Sequence, residues 1–449
     1  MQHQHMYNRF MKTCFVLIIL LSFGSHLRAQ DAQSIITVDQ AVATALQNNY
    51  DIQLSRNDSI LAAINYDYRN YALLPTLNFN TTLLSNRNNQ SQRFPDTTKQ
   101  LKVQTASRNA SFALNWTIFN GFKMFYSRNR LGRELELGSL TIKNQIVNSV
   151  SDVIKTYYDI VHQKQQLRNI EEQMALSSDR LKLAQYRFDV GVGIKPDVLQ
   201  AQIDFNQQRA ARVNQLATID QRKQDLNRLM NVPQNLNYDV IDTIPVQEDL
   251  TIGYLLGNLE QTSPQIQIAQ KNIDIAKILV KEAKADYFPV IALTSNYNLS
   301  HTSNNTVFNA FQSLSNQVHG LNYGITAVVP IFNGFAVHQN IRLAKQSVSF
   351  QELSLQNQQS QLNTNILNNF KTYDAQKQVV ILSDSSIHLA RENLNIERER
   401  YRLGATTFVE LRQAEQSLAD ALNTQITARY NLKIAETELL RLKGDLLRR

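Results

Sequence analysis

An internal duplication constrains the fold of this sequence more than any other feature. Similar segments recur 213 or 214 residues apart along the 449-residue chain. The recurring pairs are Thr37 and Thr251, Pro75 and Pro289, Phe119-Asn120-Gly121-Phe122 and Phe332-Asn333-Gly334-Phe335, and Gln200-Ala201 and Gln413-Ala414. A nearly constant offset of this kind indicates duplicated architecture. We therefore predict two tandem repeats, residues 30–235 and 236–449, behind a short leading segment.

The leading segment, residues 1–29, has the layout of a secretory signal peptide. Arg9 and Lys12 precede an apolar run at residues 15–23, and small residues follow it. The run is shorter than the roughly 20 residues of a membrane-spanning helix, so we expect cleavage rather than retention as an anchor. The one cysteine, Cys14, lies inside this segment, which leaves the mature chain without a thiol for a disulfide or a thiolate site.

Each repeat contains two segments in which apolar and polar residues alternate. In the first, Leu77, Phe79 and Leu83 fall on one face, and Asn78 and Asn80 on the other. Alternation of period two predicts strands with one apolar and one wet face, of a length that suits a transmembrane β-barrel. The predicted strands span about residues 76–86, 105–119, 290–300 and 321–332. Because four strands are too few to close a barrel and open edges are costly in lipid, several chains must share one barrel.

Helical periodicity replaces the alternation after Gly121 and continues to about Val190. A helix of roughly 70 residues is on the order of 100 Å long, too long for one globular domain. Apolar residues recur every seven positions along it and along its copy, which predicts coiled-coil packing. These positions are Val153, Ile160, Leu167, Met174, Leu181 and Phe188, then Ile366, Tyr373, Val380, Ile387, Leu394 and Tyr401. A soluble coiled-coil rod is the alternative, but such a rod has no use for paired amphipathic strands.

Aromatic residues cluster where the predicted strands meet the helices. They are Trp116, Phe119, Phe122, Phe332 and Phe335. Such a cluster is typical of the aromatic girdle at a membrane interface, although ordinary packing at helix ends would also explain it. The opposite strand ends lead into polar segments, residues 86–103 and 301–320, which we expect to be outward-facing loops.

The composition favours an uncharged polar surface. Only 19% of the residues are charged, and Asn and Gln form runs at residues 86–90 and 356–359, which suits the lining of a non-selective pore. Three cations of the leading segment contribute to the formal net charge of +8, so the mature chain carries 8 − 3 = +5. This modest charge does not favour a nucleic-acid partner.

The tandem helix–strand–strand–helix order, the Phe-Asn-Gly-Phe strand exits and the turns at residues 187–191 and 400–404 together resemble the TolC-like outer-membrane efflux protein family. The resemblance covers about residues 35–445. It implies a mainly α fold, with a homotrimer sharing a twelve-stranded barrel in outer-membrane lipid and long helices forming a periplasmic α-barrel. It also implies docking to a periplasmic adaptor (membrane fusion) protein and an inner-membrane pump. The implied function is a passive export conduit from periplasm to exterior in a tripartite efflux system; the outer-membrane component of a type I protein secretion system is the alternative.

The same resemblance implies roles for the two helix turns. The periplasmic tip, which meets the adaptor, corresponds to Val190, Gly191, Val192, Leu403, Gly404 and Ala405. Plain helix-ending glycines are the alternative explanation of Gly191 and Gly404. Asp197 and Glu410 match acidic residues of the pore entrance, where carboxylate rings favour cations. Thr407 and Glu410 also match a helix-capping box, and Asp197 follows Pro196 in the first turn of a helix.

An enzyme is the hypothesis from another class, and the sequence does not favour it. The mature histidines lack metal-ligand spacing, and no phosphate-binding loop or nucleophile elbow is present in the sequence. We therefore expect no catalytic residue, cofactor or metal.

Overall fold

The computed structural model describes residues 34–71, 73–234, 236, 238–246, 250–307, 311 and 313–446. These residues form six strands and nine helices. The strands are β1 (Ser34–Ile36), β2 (Thr76–Arg93), β3 (Thr98–Asn120), β4 (Tyr238–Val240), β5 (Val290–Asn304) and β6 (Ser315–Val328). The helices are α1 (Val38–Asn48), α2 (Tyr50–Tyr71), α3 (Lys123–Asp189), α4 (Lys195–Met230), α5 (Ile252–Leu256), α6 (Leu259–Thr262), α7 (Pro264–Ala285), α8 (Ala336–Arg402) and α9 (Phe408–Lys443). The predicted signal peptide, residues 1–29, lies outside the described residues.

Helix lengths agree between the two repeats. Helices α3 and α8 each contain 67 residues, α4 and α9 each contain 36, and α2 and α7 each contain 22. The predicted duplication and the predicted long helix are therefore confirmed, while the repeat boundaries at 235 and 236 stay predictions. Among the described residues, no helix combines the length and apolar character required to cross a membrane.

The chain divides into two compact units, and each takes segments from both repeats. One unit contains Met1–Tyr50, Ser149–Leu250 and Asn369–Glu438. The other contains Asp51–Asn148, Thr251–Asn368 and Leu439–Arg449. We refer to them as the turn unit, which holds the turns after α3 and α8, and the sheet unit, which holds strands β2, β3, β5 and β6.

The first hydrophobic core of the turn unit lies around the middle of α3. Val153 and Ile160 are fully buried there with Leu226 of α4. Strands β1 and β4 pair in parallel beside this core. The hydroxyl of Tyr157 donates to the carbonyl of Ile36 (2.8 Å) and accepts from the N–H of Ile241 (3.2 Å), so one side chain ties both strands to α3. Helix α1 begins with a capping box, in which Thr37 and Gln40 bond reciprocally.

A second core of the turn unit lies where four helices meet. It contains Ala184 of α3, Val198 of α4, Leu394 of α8, and Leu411 and Leu418 of α9, all buried. Leu394 belongs to the seven-residue repeat predicted from the sequence, so part of that repeat packs within the chain.

The sheet unit contains a four-stranded antiparallel sheet in the order β2-β3-β5-β6. The pairing register places Phe79 opposite Phe112, and Phe112 opposite Tyr297, so the apolar faces of the strands coincide. Strands β2 and β6 are the two edges, and neither pairs with the other in the described chain. The sheet is therefore open.

Five predicted strand ends and both predicted loops differ from the structure. Strand β2 continues to Arg93 and β3 starts at Thr98, so most of the predicted loop 86–103 is a paired hairpin. Strand β5 continues to Asn304, and β6 runs from Ser315 to Val328 rather than over 321–332. Strand pairing depends on backbone hydrogen bonds, which polar side chains on both faces do not prevent. The sequence alternation ends where the apolar residues end, so it predicts strands that are too short. Pro330, which has no N–H, is excluded from β6.

Candidate functional site

Both predicted tip turns end their helices with a glycine in the left-handed region. Gly191 has φ +80° and Gly404 has φ +79°. The N–H of Gly191 donates to the carbonyl of Phe188 (3.0 Å), and that of Val192 donates to the carbonyl of Arg187 (2.9 Å). The equivalent bonds of the second turn run from Gly404 to Tyr401 (3.1 Å) and from Ala405 to Arg400 (2.8 Å). This double pattern is a Schellman motif, so both glycines do end helices, as one reading of the sequence holds.

Apolar side chains beside the two glycines are exposed to solvent. Val190 is 52% exposed, Val192 is 66% exposed and Leu403 is 75% exposed. A β-carbon added to Gly191 would meet no atom within 4 Å. Both turns therefore present a small apolar surface without crowding.

Arg187 joins the two turns. Its guanidinium donates to the carbonyl of Tyr401 and lies 4.6 Å from the centroid of the Tyr401 ring. Tyr401 is 3% exposed, and burial raises the pKa of its hydroxyl, to which the charge of Asp197 adds. The structure thus brings Arg187, Tyr401 and Asp197 together. Of these three residues, only Asp197 was predicted from the sequence to be functional.

A buried ionic cluster lies close to the turns along the same helices. Arg180 donates to Asp204 (2.8 Å) and to Glu415, and all three are at least 94% buried. Arg412 contacts the same carboxylate oxygen of Asp204, Oδ2, at 3.2 Å, and the Arg180 guanidinium lies 5.2 Å from the Phe408 ring. Burial raises the pKa of Glu415, and the adjacent Arg180 opposes that rise. Sequence reasoning missed this cluster because its members lie on three helices with no shared spacing.

The carboxylate of Glu410 is engaged by its own turn. It accepts hydrogen bonds from the hydroxyl of Thr406 and from the N–H (2.7 Å) and hydroxyl (3.0 Å) of Thr407, whose hydroxyl accepts from the N–H of Glu410. This is the capping box that the sequence offers as an alternative to a pore-lining role. The bonds from Thr406 and Thr407 lower the pKa of the exposed Glu410 to about 2, so its charge persists at any physiological pH.

The two Phe-Asn-Gly-Phe turns share an unusual backbone. Gly121 and Phe122 both have φ +66°, and Gly334 and Phe335 have φ +62° and +63°. A positive φ at a bulky residue is uncommon and strained. The turns differ in their surroundings: a β-carbon on Gly121 would lie 2.3 Å from the carbonyl oxygen of Ala285, whereas one on Gly334 would meet nothing within 4 Å.

The predicted girdle aromatics lie around these turns, and Phe122, Phe332 and Phe335 are more than half exposed. Phe119 and Phe122 form an edge-to-face pair with centroids 5.1 Å apart, and Phe332 and Phe335 form another at 5.7 Å. The indole N–H of Trp116 donates to the carbonyl of Leu73 (2.9 Å). A satisfied N–H beside an exposed ring suits a residue with one apolar and one wet side.

Equivalent positions of the two repeats differ in exposure: the α3 position is buried and its α8 equivalent exposed, whereas the α9 position is buried and its α4 equivalent exposed. Asn169 of α3 is 5% exposed and donates to Asn423 of α9 (2.9 Å). Its equivalent on α8, Leu382, is 67% exposed. Conversely, Ile426 of α9 is 8% exposed, whereas its equivalent on α4, Val213, is 63% exposed. Leu389 and Ile396 extend the bare stripe of α8, with 63% and 52% exposure.

Within the described residues, no group of three or more His, Cys, Asp or Glu side chains could hold a metal ion.

Comparison with known proteins links these features to one family. The family described as outer membrane efflux protein matches residues 41–232 and 255–445. The chain is 21% identical to outer membrane efflux protein BepC of Brucella suis over 96% of this chain and 91% of BepC. It is also 21% identical to alkaline protease secretion protein AprF of Pseudomonas aeruginosa, over 70% of this chain but 65% of AprF, just under two thirds.

The fold agrees with that of a solved channel. The structure of the outer-membrane channel OprN superposes with a TM-score of 0.76, at 17% identity, over 91% of this chain and 90% of OprN. The two matched ranges of the family, each inside one predicted repeat, agree with the duplication read from the sequence.

Proposed function

This chain belongs to the outer membrane efflux protein family, and we propose that three copies form a passive conduit in the outer membrane as part of a tripartite efflux system. Family membership confirms the resemblance drawn from the tandem repeats and their turns, and with it the assignment to outer-membrane efflux. The trimer, the docking partners and the roles of single residues go further than family membership.

The open sheet is the observation that carries the proposal. It has one apolar face and two unpaired edges, β2 and β6. Unpaired backbone groups cost several kcal/mol each in lipid, so a lipid-facing sheet must close. Four strands from each of three copies would close a twelve-stranded wall, with β6 of one copy beside β2 of the next.

The bare stripe of α8 supports the same assembly. Since Asn169 packs against Asn423 within the chain, the repeat places Leu382 of one copy against Ala210 of the next, 213 residues before Asn423. Exposed Leu382 and exposed Val213 would then cover each other as buried Ile426 is covered within the chain. Burying an apolar side chain contributes about 1.5–3 kcal/mol.

A cysteine pair tests this contact, because Cys14 lies in the predicted signal segment and the mature chain then contains no other cysteine. The variant Leu382→Cys with Ala210→Cys should react with a short bis-maleimide crosslinker to give covalent dimers and trimers on a denaturing gel. The control is Asn169→Cys with Asn423→Cys, which should crosslink within one chain and therefore remain a monomer on the gel. Species larger than a trimer, or no species above the monomer, would contradict the three-copy ring.

Conduction separates the channel from a structural rod and from an enzyme. The purified oligomer should open ion-conducting channels in planar lipid bilayers, whereas a rod would leave the bilayer silent. The carboxylates of Asp197 and Glu410, repeated in three copies, would make those channels cation-preferring. Substrate turnover by the purified protein, without conductance, would instead favour a catalytic role.

The turns around Gly191 and Gly404 meet a periplasmic adaptor, which links the conduit to an inner-membrane pump. Exposed Val190, Val192 and Leu403 supply a small apolar surface for this contact. Protein secretion is the second candidate, because one relative, AprF, is named for the secretion of a protease. Crosslinking in cells and identifying the inner-membrane protein that co-purifies distinguishes the two: a drug or ion pump supports efflux, and a peptide-exporting ATPase supports secretion.

A further inference from the structure

A row of cations follows the apolar residues of the first hairpin, β2–β3. Phe79 pairs with Phe112 on the apolar face of the sheet, and Leu83 pairs with Arg108 on that same face. Beyond Leu83 the strands continue for ten more residues to Arg93, where the sequence predicts a loop.

The register assigns most of the hairpin's positive charge to that apolar face. Arg87 lies opposite Gln104, Lys102 lies opposite Asn89, and Arg93 lies opposite Thr98. Because side chains alternate between faces, the residues that share the face of Leu83 are those an even number of positions along β2, and their partners on β3. The basic ladder therefore consists of Arg87, Arg93, Lys102 and Arg108.

The opposite face of the hairpin and the second hairpin lack a comparable charge. Lys99 is the one cation on the other face, opposite Gln92. Residues 84–108 include a single acidic residue, Asp96, and it lies in the turn. Residues 301–320, at the outer end of the second hairpin, contain no Lys, Arg, Asp or Glu.

The base of the ladder is held in place by the second hairpin. The side chain of Asn305 accepts from the N–H of Gln104 (2.7 Å), and its N–H donates to the carbonyl of Gln104 (3.0 Å). The hydroxyl of Thr306 donates to the carbonyl of Lys102 (3.3 Å). Pairing of β3 with β5 ends at Thr105 and Asn304, so the hairpin beyond this brace is two-stranded.

We propose that the basic ladder binds the phosphate groups of the saccharide-bearing glycolipid, lipopolysaccharide, in the outer leaflet around the channel. The proposal rests on the proposed function, which places the apolar face against lipid. Arginine pairs with phosphate through two parallel hydrogen bonds, and lysine as a point charge. A cation ladder just beyond an apolar band has charge complementary to an anionic head-group layer.

The height of the ladder selects a glycolipid rather than a phospholipid. From the level of Leu83 and Arg108 to Arg93 is about 33 Å along the strand at 3.3 Å per residue. A strand tilt of about 40° reduces this to roughly 25 Å along the membrane normal. The head-group layer of a phospholipid leaflet is only about 5–8 Å thick, so the upper rungs would find no phosphate there. A phosphorylated saccharide core above the lipid phosphates would reach them.

Lys102 and Lys99 provide a matched test, since they lie three residues apart on β3 and on opposite faces. Native mass spectrometry of the purified full-length oligomer should count bound diphosphorylated lipid A that carries core sugars. We expect Lys102→Gln to lower its affinity about fivefold, the effect of one cation near an anionic surface, and Lys99→Gln to leave it unchanged. Replacing all four ladder residues by Gln should lower it on the order of 100-fold or more.

Three results would overturn the assignment: equal affinities for the two single variants, undiminished binding by the fourfold variant, or equally tight binding of phosphatidylglycerol nanodiscs. If the fourfold variant fails to assemble, the two single variants still decide. Conductance of the same wild-type preparation is measured in parallel. Its absence would refute the proposed function, whereas normal conductance with equal binding by the Lys102 and Lys99 variants would refute this inference alone.

Discussion

Gly121 and Gly334 occupy equivalent turns, yet alanine should impair a different step at each position: folding of the single chain at Gly121, and assembly of the trimer at Gly334. At Gly121 an added β-carbon would lie 2.3 Å from the carbonyl oxygen of Ala285 and 2.8 Å from the β-carbon of Phe288. The positive φ costs about 1–2 kcal/mol for an L-residue, and the overlap about 1–3 kcal/mol more. Gly121→Ala should thus destabilise the single chain by about 2–5 kcal/mol.

At Gly334 the same β-carbon meets nothing within 4 Å in the single chain. Only the backbone strain of about 1–2 kcal/mol then acts during folding. In the proposed ring, the residues equivalent to Ala285 and Phe288 are Tyr71 and Leu74 of the neighbouring copy. The overlap should therefore reappear at each of three contacts, about 3–9 kcal/mol per trimer at 1–3 kcal/mol each.

Two readouts separate these effects. Circular dichroism of the purified chain reports helical content, and the temperature at which the detergent-resistant trimer dissociates reports assembly. Gly121→Ala should lower the yield of helical chain, while Gly334→Ala should keep helical content and lower the dissociation temperature. A Gly334→Ala trimer that dissociates at the wild-type temperature would refute the equivalence between contacts within and between copies.

Three further changes have defined outcomes. Leu389→Glu places a charge on the bare stripe of α8 and should shift the purified protein from trimer to monomer in light scattering; a trimer that persists would contradict the contact between copies. Above pH 4.5 the helix cap formed by the Glu410 carboxylate is intact, and it should weaken as the pH falls from 4.5 through about 2, because a lowered pKa means that protonation opposes the native turn. Hydrogen-exchange protection of the amide at position 410 should fall over this pH range. It should not fall in Glu410→Gln, whose side chain keeps an acceptor oxygen at every pH. Valine at Gly191 or Gly404 should strain the turn by about 1–2 kcal/mol and reduce export from cells while the trimer persists, and unchanged export would count against the tip assignment.

Features that depend on residues close together in the chain were predictable from the sequence. The helix that ends at Asp189, the glycines that end the long helices and the capping box of Thr407 follow from periodicity and from cap chemistry that acts within five residues. The outer half of the first hairpin was not predictable in this way. Its residues are mostly polar, so no alternation of side chains predicts a strand there. The pairing is specified by backbone hydrogen bonds to the partner strand.

Features that depend on residues far apart in the chain were not predictable from the sequence. Arg180 meets Asp204 and Glu415 across 24 and 235 residues of chain, and helical periodicity would have assigned each to a solvated face. The left-handed Phe122 and Phe335 also have no local signal, because phenylalanine disfavours this conformation. Only the packing around the strand exits specifies it.

The buried cluster also distinguishes the junction inside a chain from the junction between copies. The equivalents of Arg180, Asp204 and Glu415 are Asn393, Ser417 and Gln202. Breaking a buried ion pair costs about 3–5 kcal/mol, whereas a neutral hydrogen bond contributes about 0.5–1.5 kcal/mol. If the repeat geometry extends around the ring, the uncharged junction between copies is therefore the weaker of the two. In the proposed ring, two repeats of equal length would then form unequal successive contacts, because this buried ionic cluster lies only in the contact within each chain.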